Sequence, residues 1–238
     1  MISQISVIGH RGWPKRFPDN TLPGIQAAAD VCDAIEVDVR RTADGRLVLA
    51  HDPVIGNLVV ADTAWPRLAD IDLGAGARPC LLDEALSVAP GTPFLIEIKN
   101  SPSEPGFEPD HRLAIAAAAR AGDRHTVISF NWLAMSAVRQ AMPEARTGLN
   151  VGPLGSLDDA FGLCVAEGHS LVVAERDLVL RSDARDSDAA ELWVWTPRPG
   201  LVEARHLDEL VSRGVSGIIT DDPIHTLQLL GRRHDDQG

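Results

Sequence analysis

The chain has 238 residues, 45% of them hydrophobic, with 34 acidic against 22 basic side chains and a formal net charge of −12. That is enough apolar material for one large α/β domain, and the acidic balance argues against broad electrostatic binding to nucleic acid or anionic lipid. No run of eighteen apolar residues occurs and "MISQIS" lacks the features of a secretory signal, so we expect a cytoplasmic protein with no membrane insertion.

In chain order, ISVIG (5–9) reads as a strand, TLPGIQAAADVC (21–32) as a helix and AIEVDV (34–39) as a second strand. "RRTADGRLVLAHD" (40–52) breaks the alternation, because Ala-Asp-Gly between two strand-like runs predicts a hairpin whose second arm is LVLAHD. Residues 53–82, rich in Pro, Gly and polar side chains, read as a long loop. Strand 94–99 follows, then a second loop over 100–110 and a helix over 111–122. Thereafter strands at 126–130, 145–151, 170–175, 192–196 and 217–221 alternate with helices at 132–142, 157–168 and 201–214, and the tail from 232 to 238 reads as frayed. β-branched runs separated by Ala/Leu-rich stretches, several ending in glycine, predict parallel strands joined by crossover helices. Eight such strands fit a single (β/α)8 TIM-type barrel, with an open doubly wound sheet as the structural alternative. Cys32, Cys80 and Cys164 have no CxxC spacing, which favours buried reduced thiols over a disulfide framework or a zinc site.

Residues two apart in a strand share a face, so Glu36 and Asp38 are co-facial, as are Glu97 and Lys99. Three carboxylates inside a barrel demand counter-charge. Either a hard divalent cation supplies it, with Mg²⁺, Ca²⁺ or Mn²⁺ better suited than zinc, or these charges, Lys99 included, pair with each other or with Arg40 and Arg41 as salt bridges at the barrel rim. His10 ends the first strand and His51 the hairpin arm. Two imidazoles beside such a cation are suited to acid and base roles near neutral pH, and Arg11 with Lys99 would clamp a phosphate. Gly12 allows a tight exit from the first strand, while Lys15 and Arg16 read as solvated loop charges.

The ordered set HRG (10–12), PDNT (18–21), the acids of IEVDV, the ADG turn followed by HD (51–52), IEIK (96–99), ISF (128–130), VWT (194–196) and GVSGIITDDP (214–223) resembles the glycerophosphodiester phosphodiesterase family over nearly the whole chain. The resemblance implies a TIM-type barrel that uses one divalent cation to hydrolyse glycerophosphodiesters to sn-glycerol 3-phosphate and an alcohol. It implies His10 and His51 as the acid/base pair, Glu36, Asp38 and Glu97 as metal ligands, and Arg11 and Lys99 as phosphate contacts. Trp195 matches a rim aromatic that touches substrate, or it is barrel packing; Asn20 orders the first loop, or it belongs to a helix cap. Asp19 replaces the family's usual Glu, Pro197 and Arg198 follow VWT where a residue and Asn are common, and "PVIGNLVVAD" (53–62) is a brief insertion, so substrate selectivity does not transfer. Rival readings are a phosphodiesterase acting on lysophospholipids through a groove of Trp65, Phe107 and Trp132, a non-catalytic phosphodiester-binding barrel, and an unrelated metal-dependent barrel lyase or aldolase. No motif specifies a protein partner or an oligomeric state.

Overall fold

A computed structural model describes residues 5–183, 189–197 and 200–232. The strands are β1 (Ser6–His10), β2 (Ala34–Arg41), β3 (Leu47–Leu49), β4 (Val54–Ile55), β5 (Leu58–Val59), β6 (Phe94–Ile98), β7 (Thr126–Ser129), β8 (Arg146–Val151), β9 (Leu171–Glu175), β10 (Glu191–Trp195) and β11 (Val215–Thr220). The helices are α1 (Leu22–Ala29), α2 (Trp65–Leu68), α3 (Leu82–Val88), α4 (Arg112–Ala121), α5 (Trp132–Ala141), α6 (Leu157–Glu167), α7 (Arg176–Arg181), α8 (Ala204–Ser212) and α9 (Pro223–Leu229).

Parallel pairing runs β1-β2-β6-β7-β8-β9-β10-β11 and returns to β1, so eight strands close a barrel and the open-sheet alternative falls. Strand alternation divides the core in two. Ile35, Val37, Val39, Ile96 and Ile98 pack outward under the helices, while Ile8, Leu95, Ile128, Leu171, Val173 and Ile219 fill the barrel. Where apolar filling stops, near the C-terminal strand ends, the inward positions of β1, β2 and β6 carry His10, Glu36, Asp38 and Glu97. The C-terminal mouth is where a barrel of this kind displays its chemistry.

The predicted hairpin is present, with β3 antiparallel to the end of β2. Residues 53–82, however, are more ordered than a long loop. β4 and β5 form a two-stranded ribbon about Gly56 and Asn57, a short 3₁₀ turn covers Val60–Asp62, and α2 follows. Val48, Ile55, Val60, Leu68 and Leu81 form a separate small core under this insertion, with Trp65 packed against it. Trp65 is therefore spent on the insertion's stability. Each piece is too short to show periodicity, although the Gly-Asn pair between two apolar dipeptides was a legible turn signal. Three further helices, α3, α7 and α9, add to the predicted elements. α9 carries clear start signals, Pro223 at its first position and Asp222 as N-cap accepting from the His225 N–H at 3.3 Å. α7 is capped by Glu175, whose carboxylate accepts from the Asp177 and Leu178 N–H groups. α3 begins where the Glu84 carboxylate accepts from the Leu81 N–H at 2.7 Å. The last long helix starts at Ala204, three residues later than expected.

The chain's two ends are clasped together. Asp33 accepts from the Val7 N–H at 2.8 Å and from both terminal nitrogens of Arg232 at 2.7 and 2.9 Å. Arg232 is thus anchored and not frayed; residues 233–238 lie outside those described. Burial alone would raise the Asp33 carboxyl, but the Arg232 guanidinium and the Val7 N–H together hold it below its ordinary value of 3.8. A depressed carboxyl stabilises the fold above its unfolded-state value and loses that contribution as pH falls through the folded value. We expect Asp33→Asn to cost about 1 kcal/mol at pH 7, the partial exposure of the pair limiting the effect. Thermal melts should show a loss of about 2–4 °C that shrinks as the pH falls below 3.8; a loss that stays undiminished in acid would rule out the charged clasp.

Among the described residues, no helix is long and apolar enough to cross a membrane.

Candidate active site

The first loop is folded so as to present Arg11. Arg11 (φ 55°), Gly12 (φ 89°) and Asn20 (φ 57°) all adopt the left-handed region. At Gly12 the requirement is absolute, because a Cβ would lie 2.7 Å from the backbone of Gly24 in α1. The Arg11 N–H donates to Glu36 Oε2 at 2.9 Å, its Nη1 donates to Asp19 at 2.9 Å, and its Nε lies 3.1 Å from Asp38 Oδ2. Asp19 thus retains an ion-pairing role. Asn20, 3% exposed, does not cap the helix. Its amide donates to Asp38 Oδ2 at 2.8 Å and its carbonyl accepts from the Asp38 N–H at 3.1 Å, so it clasps β2 from the side.

Asp38 and Glu97 are direct partners on neighbouring strands. Lys99 pairs with both, lying 2.9 Å from Asp38 Oδ1 and bonded to Glu97. Of the two ion-pair alternatives, pairing among the site charges is present through Lys99, while pairing of the acids with Arg40 and Arg41 is overturned. Arg41 turns to Glu108, and Arg40 donates through Nε and Nη2 to the His51 carbonyl at 3.0 and 2.6 Å while pairing with Glu104 at 2.7 Å. Arg11 and Lys99 are long enough to reach the acids from the loops above, whereas Arg40 stands a step higher on β2 and meets the chain at His51.

Oxygens of Glu36, Asp38 and Glu97 converge within 4.8 Å of one another, all three residues buried. Burial, then the neighbouring Asp38 and Glu97, pushes the Glu36 carboxyl well above the ordinary carboxylate range. Burial would do the same to Asp38, but Lys99 and Arg11 override it and hold that carboxyl well below the range. Lys99 remains firmly protonated, its two carboxylate partners outweighing desolvation. Glu36 Oε1 is enclosed with no hydrogen-bond partner. An unpartnered carboxylate oxygen in an all-oxygen cluster fits a hard divalent cation.

His10 Nδ1 bonds Asp221 Oδ1 at 2.6 Å, and its Nε2 lies 3.9 Å from Glu36 Oε2. His51 Nδ1 bonds Asp52 Oδ1 at 2.7 Å. Each ring therefore has a carboxylate on Nδ1 and keeps Nε2 for other work. Both histidines, Arg11, Glu36, Glu97, Lys99 and Trp195 line one cavity of about 500 Å³. Its far wall is apolar, built by Ile128, Phe130, Val173, Trp195, Pro197 and Ile219. Trp195 is half-buried and meets Phe130 edge to face at 5.9 Å. A second cleft of about 800 Å³ adjoins it through His51, Glu97, Lys99 and Phe130, and Trp132 and Leu133 lie along it. Phe107 lines neither, so of the three aromatics expected to form a groove only Trp132 is near, its indole N–H donating to the Asn150 carbonyl at 2.9 Å. Lys15, exposed and paired with Asp222, and Arg16, stacked over Trp13 at 4.4 Å, stay outside the cavity. Arg198 lies outside the described residues. The cysteines are free thiols, with burial pushing Cys80 up to about 12 and Cys164 to about 11.

The model of the "Glycerophosphoryl diester phosphodiesterase family" matches residues 10–225. The chain belongs to that family. Membership in the glycerophosphoryl diester phosphodiesterase family makes it a phosphoric diester hydrolase. A glycerophosphodiester phosphodiesterase of Caldanaerobacter subterraneus is 27% identical to it over 241 residues, 94% of this chain and 97% of the relative. Glycerophosphodiester phosphodiesterase 1 of Homo sapiens is 43% identical over 53 residues, 22% of this chain and 16% of the relative. The crystal structure of a glycerophosphodiester phosphodiesterase from Parabacteroides distasonis shares the fold with a TM-score of 0.79 at 20% identity, over 96% of this chain and 98% of that one. An Oleispira antarctica phosphodiesterase in complex with its product sn-glycerol-3-phosphate does so with a TM-score of 0.78 at 18% identity, over 95% and 96%.

Proposed function

We propose that this phosphodiesterase is a single barrel domain that hydrolyses glycerophosphodiesters to sn-glycerol 3-phosphate and an alcohol, with one divalent cation, Mg²⁺, Ca²⁺ or Mn²⁺, and with His10 and His51 as its acid and base. The observation that carries the reading is the pair of carboxylate-backed imidazoles on a cavity shared with three converging acids. The product named for the Oleispira relative supports the same substrate class.

Glu36, Asp38 and Glu97 would hold the cation, which supplies charge neutralisation at the phosphoryl oxygens when bound. Arg11 and Lys99 add fixed positive charge beside the acids, and because each is already tethered to them, little ordering is left to do when phosphate arrives. One imidazole takes the proton of the attacking hydroxyl at Nε2, either from water, which gives glycerol 3-phosphate directly, or from the glycerol 2-position, which gives a cyclic phosphate that water then opens with the two histidine roles exchanged. The other gives its Nε2 proton to the departing alkoxide oxygen, so the proton count balances at release. Trp195 closes the far side of the cavity against the substrate's carbon chain. A second reading, in which the alcohol arm is long and apolar as in a lysophospholipid, is favoured by Phe130 and Leu133, which stand 48% and 72% exposed beside the second cleft.

The test is release of glycerol 3-phosphate from glycerophosphocholine and glycerophosphoethanolamine by metal-stripped protein, with Mg²⁺, Ca²⁺ or Mn²⁺ restored singly. Cation-dependent release is expected. Release that needs no cation overturns the metal assignment, and release only from lysophospholipid moves the substrate to the second reading.

A further inference from the structure

The two walls of the 500 Å³ cavity differ in chemistry, and one residue breaks the pattern of the apolar wall. The wall from β7 to β11 contributes Ile128, Phe130, Val173, Trp195, Pro197 and Ile219. Thr196 also lies there, but its hydroxyl is spent on the Gly200 carbonyl at 2.7 Å. Asn150, beside Val173 in register near the end of β8, is different. It is 3% exposed, lines the cavity, and its side-chain amide has no hydrogen-bond partner; Oδ1 is enclosed and unsatisfied. Its backbone carbonyl is held by Trp132, so the residue is fixed in place while its amide is left unengaged. The indole N–H of Trp195 is likewise enclosed and unpartnered. Buried polar groups are normally satisfied, and those that are not call for an explanation such as a ligand.

We infer that Asn150 is a specificity-determining residue that hydrogen-bonds a hydroxyl of the substrate's glycerol arm, resting on the glycerophosphodiester reading above. An amide offers both a donor and an acceptor, and either end can be turned to a hydroxyl, which also carries both. The geometry selects the glycerol arm over the variable alcohol. Phosphate is anchored at the charged wall, and the second, larger cleft leads away from His51, Lys99 and Phe130 towards exposed Leu133, giving a variable arm a way out. Asn150 lines the first cavity and not the second. A small invariant arm with hydroxyls is what that first cavity can enclose against its apolar wall. Binding sites built to pair with a substrate hydroxyl discriminate against analogues that lack it, because the site's own polar group is then left unpaired.

The test reads binding, not turnover. Calorimetry with saturating Mg²⁺ compares sn-glycerol 3-phosphate with n-propyl phosphate, which keeps the phosphate and chain length without hydroxyls. Wild-type protein should bind glycerol 3-phosphate at least about tenfold more tightly, the scale of one good hydrogen bond. Asn150→Leu should bring the two within about threefold by weakening glycerol 3-phosphate alone, and Asn150→Ser, which keeps a hydroxyl, should retain part of the preference. Asn150→Ser also carries the comparison if the leucine variant does not fold. An unchanged preference in the variants, equal weakening of both ligands, or no preference in wild type overturns the assignment. Glycerophosphocholine turnover by wild type is measured alongside. A preference lost in Asn150→Leu without any wild-type turnover sinks the hydrolytic reading and leaves the hydroxyl contact standing.

Discussion

Replacing His10 with alanine is expected to lower kcat by about 10²- to 10⁴-fold, the range for a positioned proton-transfer group, with little change in melting temperature. The more informative variant is Asp221→Asn. Asp221 touches His10 Nδ1 at 2.6 Å but does not line the cavity, so it acts through the ring. The amide can still accept a bond but no longer offsets charge on the imidazole, and it permits the opposite tautomer. We expect a loss of about tenfold or more, smaller than that of His10→Ala, expressed in kcat and not in KM. The pair should also be non-additive: His10→Ala with Asp221→Asn should be no slower than His10→Ala alone, because the ring through which the aspartate acts on catalysis is gone. Additive losses would show that Asp221 serves something other than His10.

Glu36→Gln is expected to separate stability from activity. In wild type with the cation chelated, this carboxylate is buried beside Asp38 and Glu97 with one oxygen unpartnered. Glutamine keeps the shape and can still accept from the Arg11 N–H, but carries no charge to desolvate. The chelated variant should therefore be about 1–3 kcal/mol more stable than wild type at pH 7, a rise of about 2–4 °C per kcal/mol. The sign with pH follows from the raised carboxyl. Below the ordinary glutamate value of 4.5 both folded and unfolded wild type carry the proton, and the variant has no advantage. Its advantage grows as pH rises above that value. On the proposed cation site, activity and cation affinity should fall steeply, since one of its three carboxylates has lost its charge. A chelated variant that melts below wild type at pH 7 would mean that Glu36 is held by partners rather than strained by its neighbours.

The barrel was legible because its strands alternate so regularly. Glu36 and Asp38 between Ile35, Val37 and Val39 could face only one way in a sheet covered by helices, and the structure puts the valines outside and the acids within. The same rule put Glu97 and Lys99 on one face of the next barrel strand, whereas His10 stood out as the residue that ends the first. The rule could not find what depends on closure or on reach. Asp221 meets His10 because the last strand returns to the first, across 211 positions of sequence. Arg40 shares a face with Glu36 and Asp38 yet holds the His51 carbonyl, since a long side chain near a strand end is not bound to its own row. Asn150 gave no motif, because its interest lies in being the polar exception on an apolar wall. Asp222-Pro223 and Gly56-Asn57, by contrast, were plain signals of a helix start and a tight turn.

The bond between His10 and Asp221 has a further meaning in time. Its two ends lie near opposite ends of the chain, and both sit at the β1–β11 seam that completes the ring. A ribosome making this protein therefore finishes the strands that carry the carboxylates, β2 and β6, long before it makes the aspartate that holds the His10 ring. On the proposed role of His10, activity recovered on refolding is expected to follow the docking of the last strand against the first and so to report ring closure itself.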